Sequence, residues 1–141
     1  MALAGAVNLY LHPINYQALC SYRMLSESGQ CRAFGEGANG FVPGEGVGVV
    51  VLKPLSKAIR DNDQVYGVIR GSSTNHGGKT SGYTVPNPNA QRELIQKAHG
   101  NAGISADRIS YIEAHGTGTH LGDPIEVTGL SQAFRQSTSK T

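Results

Sequence analysis

The stretch Tyr111-Ile112-Glu113-Ala114-His115-Gly116-Thr117-Gly118-Thr119 ends an apolar, β-prone run in a histidine and follows it with alternating glycines and threonines. Histidine changes charge near neutral pH. An imidazole at the mouth of a strand, beside pliable backbone and hydroxyls, therefore suits proton handling or oxyanion stabilisation. The next residues, Leu121-Gly122-Asp123-Pro124-Ile125-Glu126, read as a helix start, with Asp123 as cap, Pro124 at the first helical position and Glu126 three residues after the cap. Strand, histidine, glycine-rich loop and capped helix make up many α/β active sites. Residue type alone leaves His115 open between an active-site imidazole and a buried histidine bonded to a carbonyl.

The other chemically capable groups are weaker. Gly35-Glu36-Gly37-Ala38-Asn39-Gly40 spells a GxGxxG pattern, but a dinucleotide site needs a strand before it and a helix after it. Here a loop precedes it and Phe41-Val42-Pro43 follows, so nucleotide binding is not supported. Gly44 to Gly48 reads as glycine needed for close backbone packing. His76 lies in a polar loop where it can line a site, whereas His12 and His99 read as surface residues. His115 and His120 lack a third ligand and a defined geometry between them, so no metal is expected. Cys20 and Cys31 have neither disulfide nor metal spacing and read as buried or partly buried inert thiols.

The elements that must position these groups alternate between strand and helix. Ala2–Leu9 reads as a buried strand or tight turn, Tyr16–Leu25 as a helix, and Ser26–Gly44 as loop with five glycines. Gly46–Leu52 is a β-branched run expected of a strand covered on both faces. Pro54 and Ser56 open a short helix carrying Leu55, Ala58 and Ile59, and Asp61-Asn62 closes it. Val65–Gly71 alternates as a strand, and Ser72–Asn89 is a long polar loop of the kind that carries function or lacks order. Asn89 caps a helix over Ala90–His99, with Leu94, Ile95 and Ala98 inward and Gly100 ending it. Arg108–Ala114 is the strand that delivers His115, and Pro124–Phe134 a helix with Val127, Leu130 and Phe134 on one face. The class is α/β.

The 141 residues could form one domain with a lean aliphatic core, since 38% are hydrophobic and there are three Phe, six Tyr and no Trp. A net charge of +2, evenly spread, argues against nucleic-acid or membrane-surface binding. The longest apolar run, Val47–Leu52, is far too short to span a bilayer. Few cysteines and no leader pattern suit a cytoplasmic setting. Met1–Asn8 begins as though inside a buried element and Ser137–Thr141 reads as a frayed polar end, so a piece of something longer is as good a reading as a whole protein.

Glu113-Ala114-His115-Gly116-Thr117-Gly118-Thr119 with Gly122-Asp123-Pro124-Ile125-Glu126 resembles the β-ketoacyl synthase (ketosynthase) domains of modular polyketide synthases. The blocks Gly29-Gln30-Cys31-Arg32-Ala33-Phe34, Gly40-Phe41-Val42-Pro43-Gly44-Glu45-Gly46 and Val49-Val50-Val51-Leu52-Lys53-Pro54-Leu55 are similar to consecutive family blocks in family order. The loop Asn75 to Asn87 is most similar to bacterial synthases whose acyltransferase is a separate protein. The resemblance implies a thiolase-like fold with two related α/β halves in a layered αβαβα body. Residues 1–75 would end the first half, 76–89 form a loop, and 90–141 open the second half. Gly46–Leu52 would be a late strand of the first half, and Arg108–Ala114 an early strand of the second.

By the same resemblance the reaction is decarboxylative Claisen condensation, run by a cysteine and two histidines. The cysteine is expected just before Met1 and the second histidine beyond Thr141, which leaves His115 as the catalytic residue of this chain. Thr117 and Thr119 match positions whose hydroxyls contact the phosphopantetheine arm of an acyl carrier protein, while Asp123 and Glu126 are expected to hold the loop through hydrogen bonds and the helix cap. No cofactor is bound directly; the partners implied are the carrier protein and a second copy of the parent domain. The isolated chain is expected to be inactive. A non-elongating, acyl-passing ketosynthase and a fatty-acid condensing enzyme remain the alternatives.

Overall fold

The computed structural model describes residues 1–82 and 84–135; the polar end expected at Ser137–Thr141 lies outside them. Contacts divide the chain into two compact units, Met1–Arg23 with Pro43–Ile69, and Met24–Val42 with the residues from Arg70 onward.

The first unit is built on an antiparallel pair of strands, β1 (Ala2–Asn8) and β2 (Gly46–Leu52), in register from Ala2 opposite Leu52 to Asn8 opposite Gly46. The β-branched run of β2 begins and ends where its sequence pattern does. Leu3, Gly5 and Val7 stand opposite Val51, Val49 and Val47, and the alternate pairs carry Ala2, Ala4 and Ala6 opposite Leu52, Val50 and Gly48. Both faces are therefore apolar, the composition of a sheet sandwiched between layers. The expected burial is nonetheless not observed: every residue of both strands is exposed. The sheet has two strands and no covering layer among the described residues. Asn8 Nδ2 donates to the Gly44 carbonyl at 2.6 Å and Tyr10 N–H to Glu45 Oε1 at 2.5 Å, tying the strand ends together.

Helix α1 spans Ile14–Ser21, earlier than the Tyr16–Leu25 pattern suggests. Pro13 presets the first turn, and Ser21 Oγ bonds back to the Gln17 carbonyl at 2.9 Å as the helix ends. Helix α2, Leu55–Arg60, falls where its sequence signals put it. Leu55 and Ile59 are exposed, however, and only Ala58 is buried.

In the second unit, helix α3 runs Pro88–Ala102 and helix α4 runs Gly122–Arg135. The α3 cap is Asn87, whose side chain accepts from the N–H groups of Asn89 and Ala90, and not Asn89. Gly100 lies within the helix; Gly103, at φ 61°, closes it. The helices approach closely at Gly129, where a Cβ would stand 3.0 Å from Gln91 Oε1 and 3.2 Å from the Pro88 carbonyl. His99, expected at the surface, is half-buried with its ring edge-on to Phe134 at 5.2 Å.

Two expected strands are not formed. Val65–Gly71 and the residues after the short 3₁₀ turn Ala106–Arg108, up to Ala114, carry no ladder. A strand exists only through its neighbour's hydrogen bonds, and none of the described residues pairs with either segment. Among the described residues the buried apolar side chains are four alanines, Ala38, Ala58, Ala106 and Ala133, and these do not make up the expected aliphatic core. None of their helices is long and apolar enough to cross a membrane.

Candidate functional site

The loop after His115 is pinned to the first turns of α4 by two carboxylates. Glu126 accepts the His115 N–H at 2.6 Å through one oxygen and the Gly116 N–H at 2.9 Å through the other. Asp123, 5% exposed, accepts the Gly118 N–H at 3.1 Å and the Phe34 N–H at 2.6 Å. Pro124 and the helical geometry place these two side chains three residues apart on one face, so both reach back over the same loop. A carboxylate taking two backbone N–H groups makes charge-assisted bonds roughly twice as strong as neutral ones.

The helix therefore begins at Gly122, one residue before the expected cap. Thr119 does the capping: its Oγ1 accepts the Gly122 N–H at 3.0 Å and its carbonyl the Asp123 N–H at 3.3 Å. Thr117 and Thr119 hydroxyls lie 3.1 Å apart, so the pair presents one hydroxyl cluster beside the histidine. A Cβ at Gly122 would meet Thr119 Oγ1 at 2.5 Å, and glycine there keeps the cap possible.

Backbone handedness shapes the rest. Gly116 and Gly118 sit at φ 53° and 68°, the left-handed region that L side chains rarely adopt. Against them lies the segment 31–40, which sequence reasoning treated as a loop without a site role. Gly40 N–H donates to the Gly118 carbonyl at 2.8 Å, and Cys31 Sγ lies 3.7 Å from the carbonyls of both Gly116 and Thr117. At φ 144°, Gly40 passes so near Leu25 and Ser26 that a Cβ would stand 2.5 Å from backbone. Of the GxGxxG glycines, Gly40 is set by close chain approach and Gly37, at φ 73°, by its left-handed backbone. Cys20 and Cys31 are both exposed, contrary to the buried thiols expected, because neither lies under a packed layer.

His115 itself is exposed, with its backbone N–H held by Glu126. Two clefts flank the motif. One of about 340 Å³ runs between α3, α4 and residues 109–114, with Glu113, Ala114 and Glu126 in its wall. The other, about 390 Å³, is lined by Phe34, Ala38, Thr119, His120 and Asp123. The Glu113 carboxylate accepts the Tyr111 hydroxyl, which holds that phenol above its ordinary ionisation range, with some desolvation added. His76 is exposed and its Nδ1 accepts the Gly78 N–H at 2.9 Å, within its own turn. Among the described residues no trio of His, Cys, Asp or Glu is grouped to hold a metal ion.

The arrangement can offer an imidazole and a hydroxyl pair on a loop whose His115, Gly116 and Gly118 amides are held by carboxylates. Residues 1–58 match the family model for the β-ketoacyl synthase N-terminal domain, and residues 66–141 that for the β-ketoacyl synthase C-terminal domain. The chain is 58% identical over 137 residues to polyketide synthase PksL of Bacillus subtilis, covering 97% of this chain and 3% of the relative. It is 55% identical over 134 residues to polyketide synthase ThaG of Burkholderia thailandensis, covering 95% of this chain and 2% of the relative. The ketosynthase from module 6 of the bacillaene synthase of Bacillus subtilis superposes with a TM-score of 0.95 at 50% identity, covering 99% of this chain and 25% of that one. The ketosynthase domain OzmH KS7 of Streptomyces albus does so with a TM-score of 0.93 at 49% identity, covering 96% of this chain and 23% of that one. The chain thus spans a few hundredths of the curated relatives' length and about a quarter of the solved ketosynthase chains. Two consecutive family models and the shared thiolase-like fold lead to one conclusion: this chain belongs to the β-ketoacyl synthase family.

Proposed function

We propose that this chain contributes the first histidine and the pantetheine-side hydroxyls of a polyketide-synthase ketosynthase that performs decarboxylative Claisen condensation. The observation that carries the reading is the exposed His115 side chain on a loop held at both of its first amides by Glu126. In that reaction an acyl chain waits as a cysteine thioester, and a malonyl unit arrives on the phosphopantetheine arm of an acyl carrier protein. Loss of carbon dioxide leaves an enolate whose carbon attacks the acyl thioester, expelling the cysteine thiolate. Negative charge gathers on the malonyl thioester oxygen, and a neutral imidazole of His115 donates an N–H to it. Such a donor lowers the barrier only if it is aimed before the charge develops. Glu126 supplies the aim by fixing the backbone on both sides of the His115 α-carbon.

Thr117 and Thr119 are assigned the pantetheine arm, with Thr119 also committed to the Gly122 N–H. Asp123 and Glu126 act on the loop and not on the substrate. The nucleophile and the second histidine are assigned to parts of the ketosynthase outside this chain, as is most of the surface for a second copy. Alone, the chain is proposed not to condense.

In the ketosynthase carrying this sequence, His115→Ala is expected to lower condensation on the order of 10²–10³-fold, read as product formed from acyl-loaded enzyme and malonyl carrier protein. Undiminished condensation overturns the role of His115. Radiolabelled acyl transfer to the 141-residue chain alone is expected to leave no stable label. Label that is retained, and lost on changing Cys20 or Cys31, overturns the assignment of the nucleophile elsewhere.

A further inference from the structure

We propose that Phe34 is a positioning residue for His115, holding the Gly116–Gly118 backbone through its own N–H and its ring. The inference rests on the condensing-site reading above and adds to it a residue from outside the histidine motif. Among the described residues, three non-glycine residues have positive φ: Arg23, Asn62 and Phe34. Arg23 and Asn62 follow the ends of α1 and α2, where a left-handed residue commonly closes a helix. Phe34, at φ 57°, closes none. It is the third residue of the turn Arg32–Gly35, whose ends are joined by Gly35 N–H on the Arg32 carbonyl at 3.0 Å. That turn position favours glycine or asparagine, and a bulky residue persists there only where its surroundings hold it.

Its surroundings are the His115 loop. Phe34 N–H meets one oxygen of the buried Asp123 at 2.6 Å while the other oxygen takes Gly118 N–H at 3.1 Å, so a single carboxylate ties residue 34 to residue 118. The ring covers the other side: a Cβ at Gly116 would stand 3.2 Å from Phe34 Cε2 and 3.2 Å from Ala33 Cβ. The peptide next to His115 therefore lies against the ring with no room to spare. Since Phe34 as a residue is 48% exposed, its contribution falls on the loop more than on a core.

The test is a double-mutant cycle in the ketosynthase that carries this sequence, using acyl-loaded enzyme and malonyl carrier protein. Phe34→Asn suits the left-handed backbone and removes the ring. It is expected to keep the unfolding midpoint while lowering kcat roughly 10–100-fold, as a misplaced donor does, with KM for the malonyl carrier within about twofold. Phe34→Tyr, which keeps the ring, restores the rate. In a His115→Ala background Phe34→Asn costs nothing further, because residues acting through one group are not additive. An unchanged kcat in Phe34→Asn, or a loss that multiplies with that of His115→Ala, overturns the role of Phe34 and leaves the condensing-site reading standing. A fully active His115→Ala overturns both. Should Phe34→Asn not fold, Phe34→Leu is read against the same outcomes.

Discussion

At the scale of single residues, the acidic pair of α4 decides how the histidine is presented. Glu126 accepts two adjacent amides with its two oxygens, a task glutamine cannot repeat because one of its ends is a donor. Glu126→Gln leaves one partly buried N–H facing another donor. It is expected to destabilise the closed loop by about 1–3 kcal/mol. Amide hydrogen exchange at His115 and Gly116 should accelerate accordingly, roughly 5–150-fold, while exchange within α3 stays as it was. Unaltered exchange at both amides would show that the carboxylate does not hold the loop. The residue types at 123 and 126 were legible as a helix start, but their loop partners were not. Phe34 lies 89 residues from Asp123 in sequence, and nothing in its neighbours announces the bond.

At the scale of elements, helices followed local rules, while a strand formed only where a partner lay beside it. Asn87 begins α3 with its side chain over the N–H groups of Asn89 and Ala90, and Pro88 occupies the first turn. The sequence offers two asparagines here, and proline at 88 settles which one caps, because the missing proline N–H suits the position just after a cap. Asn87→Ala is expected to cost about 0.5–2 kcal/mol of stability in urea unfolding. Asn87→Asp keeps the capping oxygen but gives up the 2.8 Å bond to the Gly77 carbonyl, and should lose less. An alanine variant as stable as the parent would remove Asn87 from the cap. Gly46–Leu52 forms its strand because β1 lies beside it. Val65–Gly71 and Arg108–Ala114, with patterns as good, remain without a ladder because a strand needs a partner that pattern cannot supply.

At the scale of the whole molecule, charge outside the site tunes stability with pH. Lys53 Nζ, at the end of β2, lies 2.7 Å from Asp61 and 2.5 Å from Asp63, just beyond α2. Hydrogen bonds from Arg60 and then Lys53 hold the Asp61 carboxyl below its ordinary range, and Asp61 and Asp63 hold the Lys53 ammonium above its own. A depressed carboxyl stabilises above its unfolded value and loses that contribution as pH falls through the folded one. A raised ammonium stabilises below its unfolded value and loses the contribution as pH rises through the folded one. Both act near neutrality. Lys53→Met should lower the melting temperature at pH 7 more than at pH 2, and more at low salt than at high, since these groups face water. Equal shifts at every pH would assign the loss to packing.

The amino-acid sequence by itself determined the family, the α/β class and the bounds of β2 and α2. Those are carried by local spacing, and local spacing survives in one dimension. Only the tertiary structure decided that Thr119 caps α4, that Asp123 bridges two loops, and that Phe34 and Gly40 press against the glycines after His115. These contacts join residues as much as 89 positions apart, and their signal is shape and a free N–H, which residue type does not encode.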